Sequence, residues 1–409
     1  MSISRRNLMG LGTAGLLASF FGSGASAEET AKSGAPKRCI LLWMNGGASH
    51  LDTFDTKAKG HFKSIATRAP GIQISEKLPM LAEQMHHVAL LRGMTSKEGS
   101  HERAQSLGHT GHIPNPTVRA PSLGAWVAKS QTGASTLPRF VSLGGPSHDA
   151  GFLGSALDPF VVGAPGSSPD DVSPDRAFSN ERETLRYKAV DALNRSFDQR
   201  VQSPRAVQRS LLTDQARAMK HAPGMRAFDC SSEPASVQAA YGDTAFGRGC
   251  LTARRLVEVG VPFIEVALDG WDTHQNNFDR TTSLMQTLDA GAASLLRELE
   301  ERGLLDTTLV AWMTEFGRTP AVNGNEGRDH HPQAYSVWLA GCGIRGGVVR
   351  GETDGSGGRV TKGASSPADV ISTMAQAVGL DPELYHTTPN GRPIMLTEGG
   401  RPIRELLGA

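Results

Sequence analysis

The sequence predicts an α/β protein: a three-layer α/β/α sandwich with helices on both faces of a mostly parallel sheet. Two observations predict it. Continuous apolar runs of strand length recur and end at glycine or asparagine, as strands buried on both faces do. Between them lie longer segments with helical periodicity, and strands alternating with helices belong to a parallel sheet covered on both sides. With 409 residues, 38% hydrophobic and 20% charged, the chain can bury a large core as one big domain or two smaller ones.

The first residues stand apart from that core. "SRRNLM" (Ser4 to Met9) carries a twin arginine, an apolar run follows from Leu8 to Phe21, and "ASA" (Ala25 to Ala27) is a small-residue cleavage signature. The run is too short to span a bilayer comfortably, so residues 1–27 are expected to be a cleaved twin-arginine signal and not an anchor. The expected destination is the periplasm or another exported compartment, through the twin-arginine machinery, which carries proteins already folded. Residues 28–36 are expected to be a disordered lead-in to one domain over 37–409. Loss of Arg5 and Arg6 moves the net charge from +1 to −1 (+1 minus 2). A near-neutral chain with no Lys/Arg run has no electrostatic footprint for nucleic acid.

The strands follow in order. "RCILLWM" (Arg38 to Met44) ends at "NGG", "HVALLRGM" (His87 to Met94) is a second run, and "RFVSLGG" a third. Pro- and Gly-rich sequence from about Gly163 to Pro174 then leads into "NERETLRYKAVDALNRSFDQRVQ". The shift in composition, with charges facing both ways, marks a helical insertion or cap over about 179–225. "LTARRLVEVG" reads as a helix closed by Gly260, "VPFIEVALDG" as a strand, and "SLMQTLDAGAASLLRELEERG" as an amphipathic helix ending at Gly303. "TTLVAWMTEFG" and "AYSVWLAG" are further strands, and "SPADVISTMAQAVG" a late helix. Four cysteines, Cys39, Cys230, Cys250 and Cys342, match no zinc spacing. Cys39 and Cys342 read as buried thiols, whereas Cys230 and Cys250 could pair in an oxidising compartment.

Open α/β sheets build their sites beyond the carboxyl ends of the strands. Those positions here hold "NGGASHLDTFD", "TSKEGSHERAQSLGHTGH", "DGWDTHQNN" and "TEFGRTP", while "EGRDHHP" (Glu326 to Pro332) precedes the strand at Tyr335. Nearly every strand end thus delivers Asp, Glu, Asn or His to one rim. Mixed carboxylate and imidazole ligands suit zinc, manganese or iron better than calcium. In an extended "DTH", Asp272 and His274 point the same way, as two ligands of one ion should, whereas adjacent His330 and His331 point apart. Each piece also has a structural reading. Asp272 could cap the helix that follows, Ser100 is placed to cap "HERAQSLG", and Glu315 could pair with Arg318. His101, His109 and His112 could be satisfied in the core, and His101 could equally be a ligand or a proton carrier.

"GGASHLDTFD", "LTARRLVEVGVPFIEV" with "GWDTH", "RGLLDTTLVAWMTEFGRTP", "GRDHHP" and "LAGCGIRGGVVRGETDGSG" together resemble the exported family called domain of unknown function 1501. That family is similar in fold to the alkaline phosphatase and sulfatase superfamily, so the resemblance implies a similar sandwich and one or two divalent metal ions, zinc, manganese or similar. It implies a metal set drawn from Asn45, Asp52, Asp272, His274, Glu315, Asp329 and His330. It places the hydroxyl nucleophile at Ser100, with Thr95 or Ser96 behind it; His101 follows Ser100 in sequence, and Arg318 stands beside the expected ligands. Two positions depart from the superfamily pattern. Asn45 stands where an aspartate would bind, and Glu315-Phe316 replaces an Asp-His pair, so a second ion lacks an imidazole. The C-x-P-x-R or S-x-P-x-R motif that yields formylglycine is absent.

The expected function is therefore a metal-dependent hydrolase of phosphate or sulfate esters, on a small ester or polysaccharide-type substrate, with Arg318 and Arg328 available to clamp oxyanions. The alternative is a non-catalytic exported protein of the same fold that binds metal or glycan. A serine triad from Ser49, His50 and Asp52 is disfavoured by their closeness in sequence and by the lack of G-x-S-x-G.

Overall fold

The structure is a computed structural model that describes residues 36–131, 135–169, 179–201 and 203–408. The signal over 1–27 and all of the lead-in except its last residue lie outside the described residues. Among the described residues, no helix is long and apolar enough to cross a membrane.

The central sheet has eight strands: β1 (Arg38–Met44), β2 (Val88–Met94), β3 (Phe140–Leu143), β4 (Phe160–Val162), β5 (Phe263–Leu268), β6 (Thr308–Thr314), β7 (Tyr335–Ala340) and β8 (Val348–Arg350). Their spatial order is β8-β2-β7-β6-β1-β5-β3-β4. All pairings are parallel except those of β7, which runs antiparallel to both β2 and β6. β1 and β6 are buried almost end to end, which explains why they read as continuous apolar runs. The sequence did not announce β4 and β8, short strands at the two edges.

Helices cover both faces. Those that carry the layers are α1 (Pro79–Gln84), α2 (His101–Thr110), α3 (Leu123–Ser130), α4 (Asn180–Val201), α5 (Pro204–Lys220), α6 (Ala235–Tyr241), α7 (Ala245–Glu258), α8 (Asn277–Glu301) and α9 (Pro367–Ala377). Alternate residues of β1 sort the layers. Ile40, Leu42 and Met44 enter one apolar cluster with Leu81 of α1, Leu256 of α7 and Leu295 of α8. Cys39, Leu41 and Trp43 enter the other with Trp126 of α3 and Met374 of α9. Local chemistry sets the helix ends. Ser366 and Asp369 form a reciprocal capping box with Pro367 in the first turn of α9, and Gly303 takes φ +65° just past α8. α4 and α5 pack together, with Arg217 paired to Asp191 at 2.6 Å and Lys220 to Glu183.

Two features bring one rim together. Met44, Leu268 and Thr314 are register partners, so β1, β5 and β6 end level with one another. β7 runs the other way, and its first residue, Tyr335, pairs with Met94, the last of β2. The segment that leads into β7 therefore arrives at the same edge as the segments that leave the parallel strands. All four cysteines are buried and free; Cys230 lies 3.3 Å from the Thr252 hydroxyl, and no Cys230–Cys250 bridge forms.

Candidate metal centre

The loops after β1 and β5 are stitched at once: Trp271 N–H donates to Asn45 O at 3.2 Å. Gly46 takes φ +117°, and a Cβ there would sit 2.3 Å from Asp272 N. Only glycine lets these two chains approach so closely. The "EGRDHHP" segment is laced to the "DTHQNN" segment by backbone bonds, Arg328 N to Thr273 O at 3.0 Å and Asn277 N to Glu326 O at 2.9 Å. His330 and His331 form a two-residue ribbon with Arg318 and Gly317.

Four side chains meet there. Asp272 Oδ1 lies 3.5 Å from His101 Nε2, 3.1 Å from His274 Nε2 and 3.4 Å from His330 Nε2. The two nitrogens of His274 and His330 face each other across 3.0 Å. Each of the three imidazoles is held from behind through Nδ1: His101 by Glu315 at 2.8 Å, His274 by Asp329 at 2.9 Å, and His330 by the carbonyl of Gly99 at 2.8 Å. Those partners only accept, so each Nδ1 carries the hydrogen and each Nε2 turns to the gap. His101 Nε2 is buried with no hydrogen-bond partner. The Glu315 bond raises His101 above the ordinary imidazole value despite opposing burial, whereas burial lowers His330. Burial would raise Asp272 as well, but the Arg318 guanidinium holds it below the usual carboxylate range.

The expected residues thus divide. Asp272, His274 and His330 converge, joined by His101, whose role the sequence left open. Glu315 and Asp329 stand behind His101 and His274 and not in the gap. Both Glu315 oxygens are engaged: Oε1 accepts from Gly46 N–H at 2.8 Å as well as from His101, and Oε2 accepts from Thr314. Asn45 is turned aside, its amide bonded to Asp269 and Gln105. Asp52 is fully buried and paired with Arg328 at 3.0 Å and Asn277 at 2.9 Å, away from the cluster.

The arginines are corrected most plainly. Arg318 is 0% exposed and donates to Gly46 O, Gly47 O, Arg328 O and Asp272. Arg328 donates to Asp52, Thr319 O and Pro320 O. Their donors serve the loops, so neither stands open as an oxyanion clamp. Glu315 makes no direct pair with Arg318, and Asp272 does not cap α8, which begins after Asn276.

Ser100 occupies the N-cap position of α2, exposed, with no capping bond from its side chain. It sits between Gly99, which His330 grips, and His101. Phe316 fills the place beside the rings of His101 and His330, at centroid distances of 4.9 and 4.5 Å. His109 and His112 are satisfied inside, His109 by Gln105 O and Glu265, and His112 by the carbonyls of Met395 and Leu396. Sequence reasoning missed Gly46, Gly99 and Asn323, whose amide bonds both Asp329 and His274 O. Only "NGG" carried a signal, the pair of glycines after a buried strand.

Ligand atoms of His101, Asp272 and His330 all lie within 4.8 Å of one another, a set that could hold one divalent ion, and His274 adjoins Asp272 and His330. Bonds of about 2.0–2.2 Å place the ligand atoms of one ion roughly 3–3.6 Å apart, the spacing found around Asp272 Oδ1. An imidazole tied through its other nitrogen to a carboxylate or carbonyl is the usual support for a metal-binding histidine. At this rim a second ion finds no comparable set among the described residues: Asn45 and Asp52 are committed elsewhere, and Phe316 offers no donor.

A sheet of mostly parallel strands with a His/Asp cluster at its carboxyl rim defines the class as an α/β/α sandwich with a rim site. The chain matches the family described as "Protein of unknown function (DUF1501)" over residues 36–407 and belongs to it. No curated protein matches the sequence. Among solved structures, it is similar to the PsFucS1 sulfatase from Pseudoalteromonas sp., at 13% identity over 85% of this chain and 68% of that one, with a TM-score of 0.42. It is also similar to the lipoteichoic acid synthase LtaP from Listeria monocytogenes, at 8% identity over 89% and 74%, with a TM-score of 0.40. A third similarity is to the C-terminal periplasmic domain of EcEptC from Escherichia coli in complex with Zn, at 10% identity over 92% and 97%, with a TM-score of 0.39.

Proposed function

We propose that the chain is an exported, metal-dependent hydrolase of phosphate or sulfate esters, holding one divalent ion through His101, Asp272, His274 and His330. The observation that carries this reading is the facing pair of His274 and His330 nitrogens, 3.0 Å apart with their hydrogens committed on the far side. Two lone pairs so close repel unless a proton or a metal ion sits at the gap. Bound there, a dication would supply Lewis acidity to an ester oxygen and a field that favours an ionised hydroxyl.

The chain's own residues do the rest. Glu315, Asp329 and the Gly99 carbonyl aim the three rings, and Arg318 fixes Asp272. Ser100 offers a hydroxyl at the N-terminus of a ten-residue helix, where backbone N–H groups and the helix dipole favour negative charge. Attack by its oxygen on phosphorus or sulfur would form a covalent ester and expel the alcohol, and water would then release the enzyme.

The test is metal analysis of the protein purified from its native compartment, with a screen of aryl phosphates, phosphodiesters and sulfates. About one equivalent of metal is expected, with most of it lost in Asp272→Ala and His330→Ala. Loss of ester turnover in Ser100→Ala would assign the nucleophile. The internal commitment of Arg318 and Arg328 favours a second reading, a metal-binding protein without catalysis, and bound metal with no turnover of any ester would establish it.

A further inference from the structure

We propose a second metal site at the opposite end of the sheet, formed by His86, His87 and Glu300, for a divalent transition-metal ion such as zinc. His86 and His87 belong to a single 3-10 turn, Met85–His87, immediately before β2 enters the sheet. Glu300 lies in the last turn of α8. One ligand atom from each of the three falls within 4.8 Å of the other two.

Three observations raise this cluster above an ordinary surface group. First, His86 Nδ1 donates to Glu83 O at 3.0 Å, which leaves its Nε2 with a free lone pair. That carbonyl support is the arrangement seen behind metal-binding imidazoles. Second, His87 Nε2 is buried and makes no hydrogen bond, although Glu300 Oε2 is only 2.9 Å away. A short contact without hydrogen-bond direction is what two ligands of one ion present, each about 2.0–2.2 Å from it. Third, the two rings lie against each other on a closely packed turn. Their ring centroids lie 3.8 Å apart, and a Cβ on Gly346 would meet His86 O at 2.3 Å. Two imidazoles with one carboxylate suit zinc or its neighbours and not calcium or magnesium.

Such an ion would join the turn before β2 to the end of α8, elements far apart in sequence. Its role would be to hold the fold, since any ligand that binds only the folded chain stabilises it. The site shares no residue with the rim cluster, so the two readings stand or fall separately.

The experiment is a zinc titration by calorimetry, with cobalt absorption as a second readout, on the Asp272→Ala, His330→Ala protein, in which two of the four rim ligands are gone. One equivalent is expected to remain, with a rise in the thermal midpoint on adding zinc. Introducing His86→Ala, or separately Glu300→Gln, should weaken that equivalent at least tenfold and remove the thermal shift. Circular dichroism would confirm that each variant is folded, and Glu300 is exposed enough to be replaced without unfolding the chain. Zinc binding and thermal shift unchanged in both variants would overturn the proposal, as would binding seen only at millimolar zinc.

Discussion

Arg318 shows how much a single residue can organise. Its guanidinium joins the turn after β1, the "GRDHHP" segment and Asp272, and it is fully enclosed. Lysine has one ammonium where arginine has a planar fork, so it cannot reach all these acceptors. Arg318→Lys should therefore cost about 2–4 kcal/mol by urea unfolding, because buried carbonyls lose their donors. Metal content should fall with it, as Asp272 loses its fixed orientation. The residue types of the site were legible in the sequence, but their tiers were not. Asp272, His274 and His330 were named as ligands alongside Glu315 and Asp329, and spacing cannot reveal that Glu315 faces the back of His101. Asp52 was misplaced for a similar reason, since its partner Arg328 lies 276 residues away.

At the scale of elements, the long apolar runs were readable because burial on both faces leaves a continuous hydrophobic signature, as in β1 and β6. β4 and β8, each three residues long, carry too few residues to leave one. The direction of β7 was equally hidden, since an apolar run looks the same read either way. The buried face between α7 and α8 supports a sharper expectation. Arg254, 2% exposed, pairs with Glu298 of α8 at 3.0 Å and with Glu233 at 2.7 Å. Arg254→Met removes the buried partner the two carboxylates share, while Arg255 still pairs with Glu233 and Tyr241 and Arg302 still bond Glu298, so it should cost about 3 kcal/mol, the low end for breaking a buried pair. The double variant with Glu298→Gln should recover part of that loss, which a double-mutant cycle in urea would measure.

For the molecule as a whole, stability should depend on pH through His50. It is fully buried, its Nε2 donates to Gly357 O at 2.8 Å, and burial lowers its pKa from 6.5 to about 4. Above pH 6.5 the ring is neutral whether the chain is folded or not, so no penalty applies. As the pH falls from 6.5 to 4 the unfolded chain takes up a proton that the folded one refuses. Stability should therefore drop across that window by about 3 kcal/mol in total. His50→Gln, which keeps a donor for Gly357, should flatten the slope of unfolding free energy against pH. Export is tested separately: the precursor with Arg5 and Arg6 changed to Lys should stay in the cytoplasm, and normal processing would refute twin-arginine routing.

The hydrogen bond from His330 to Gly99 spans 231 positions of the chain. A nascent polypeptide emerging from the ribosome cannot close it until synthesis has passed His330, long after α2 can form. The donor cluster therefore cannot assemble until the chain has been made past His330, and any product that stops before it lacks the cluster. Loading at the rim would thus report a chain whose two distant segments have already met.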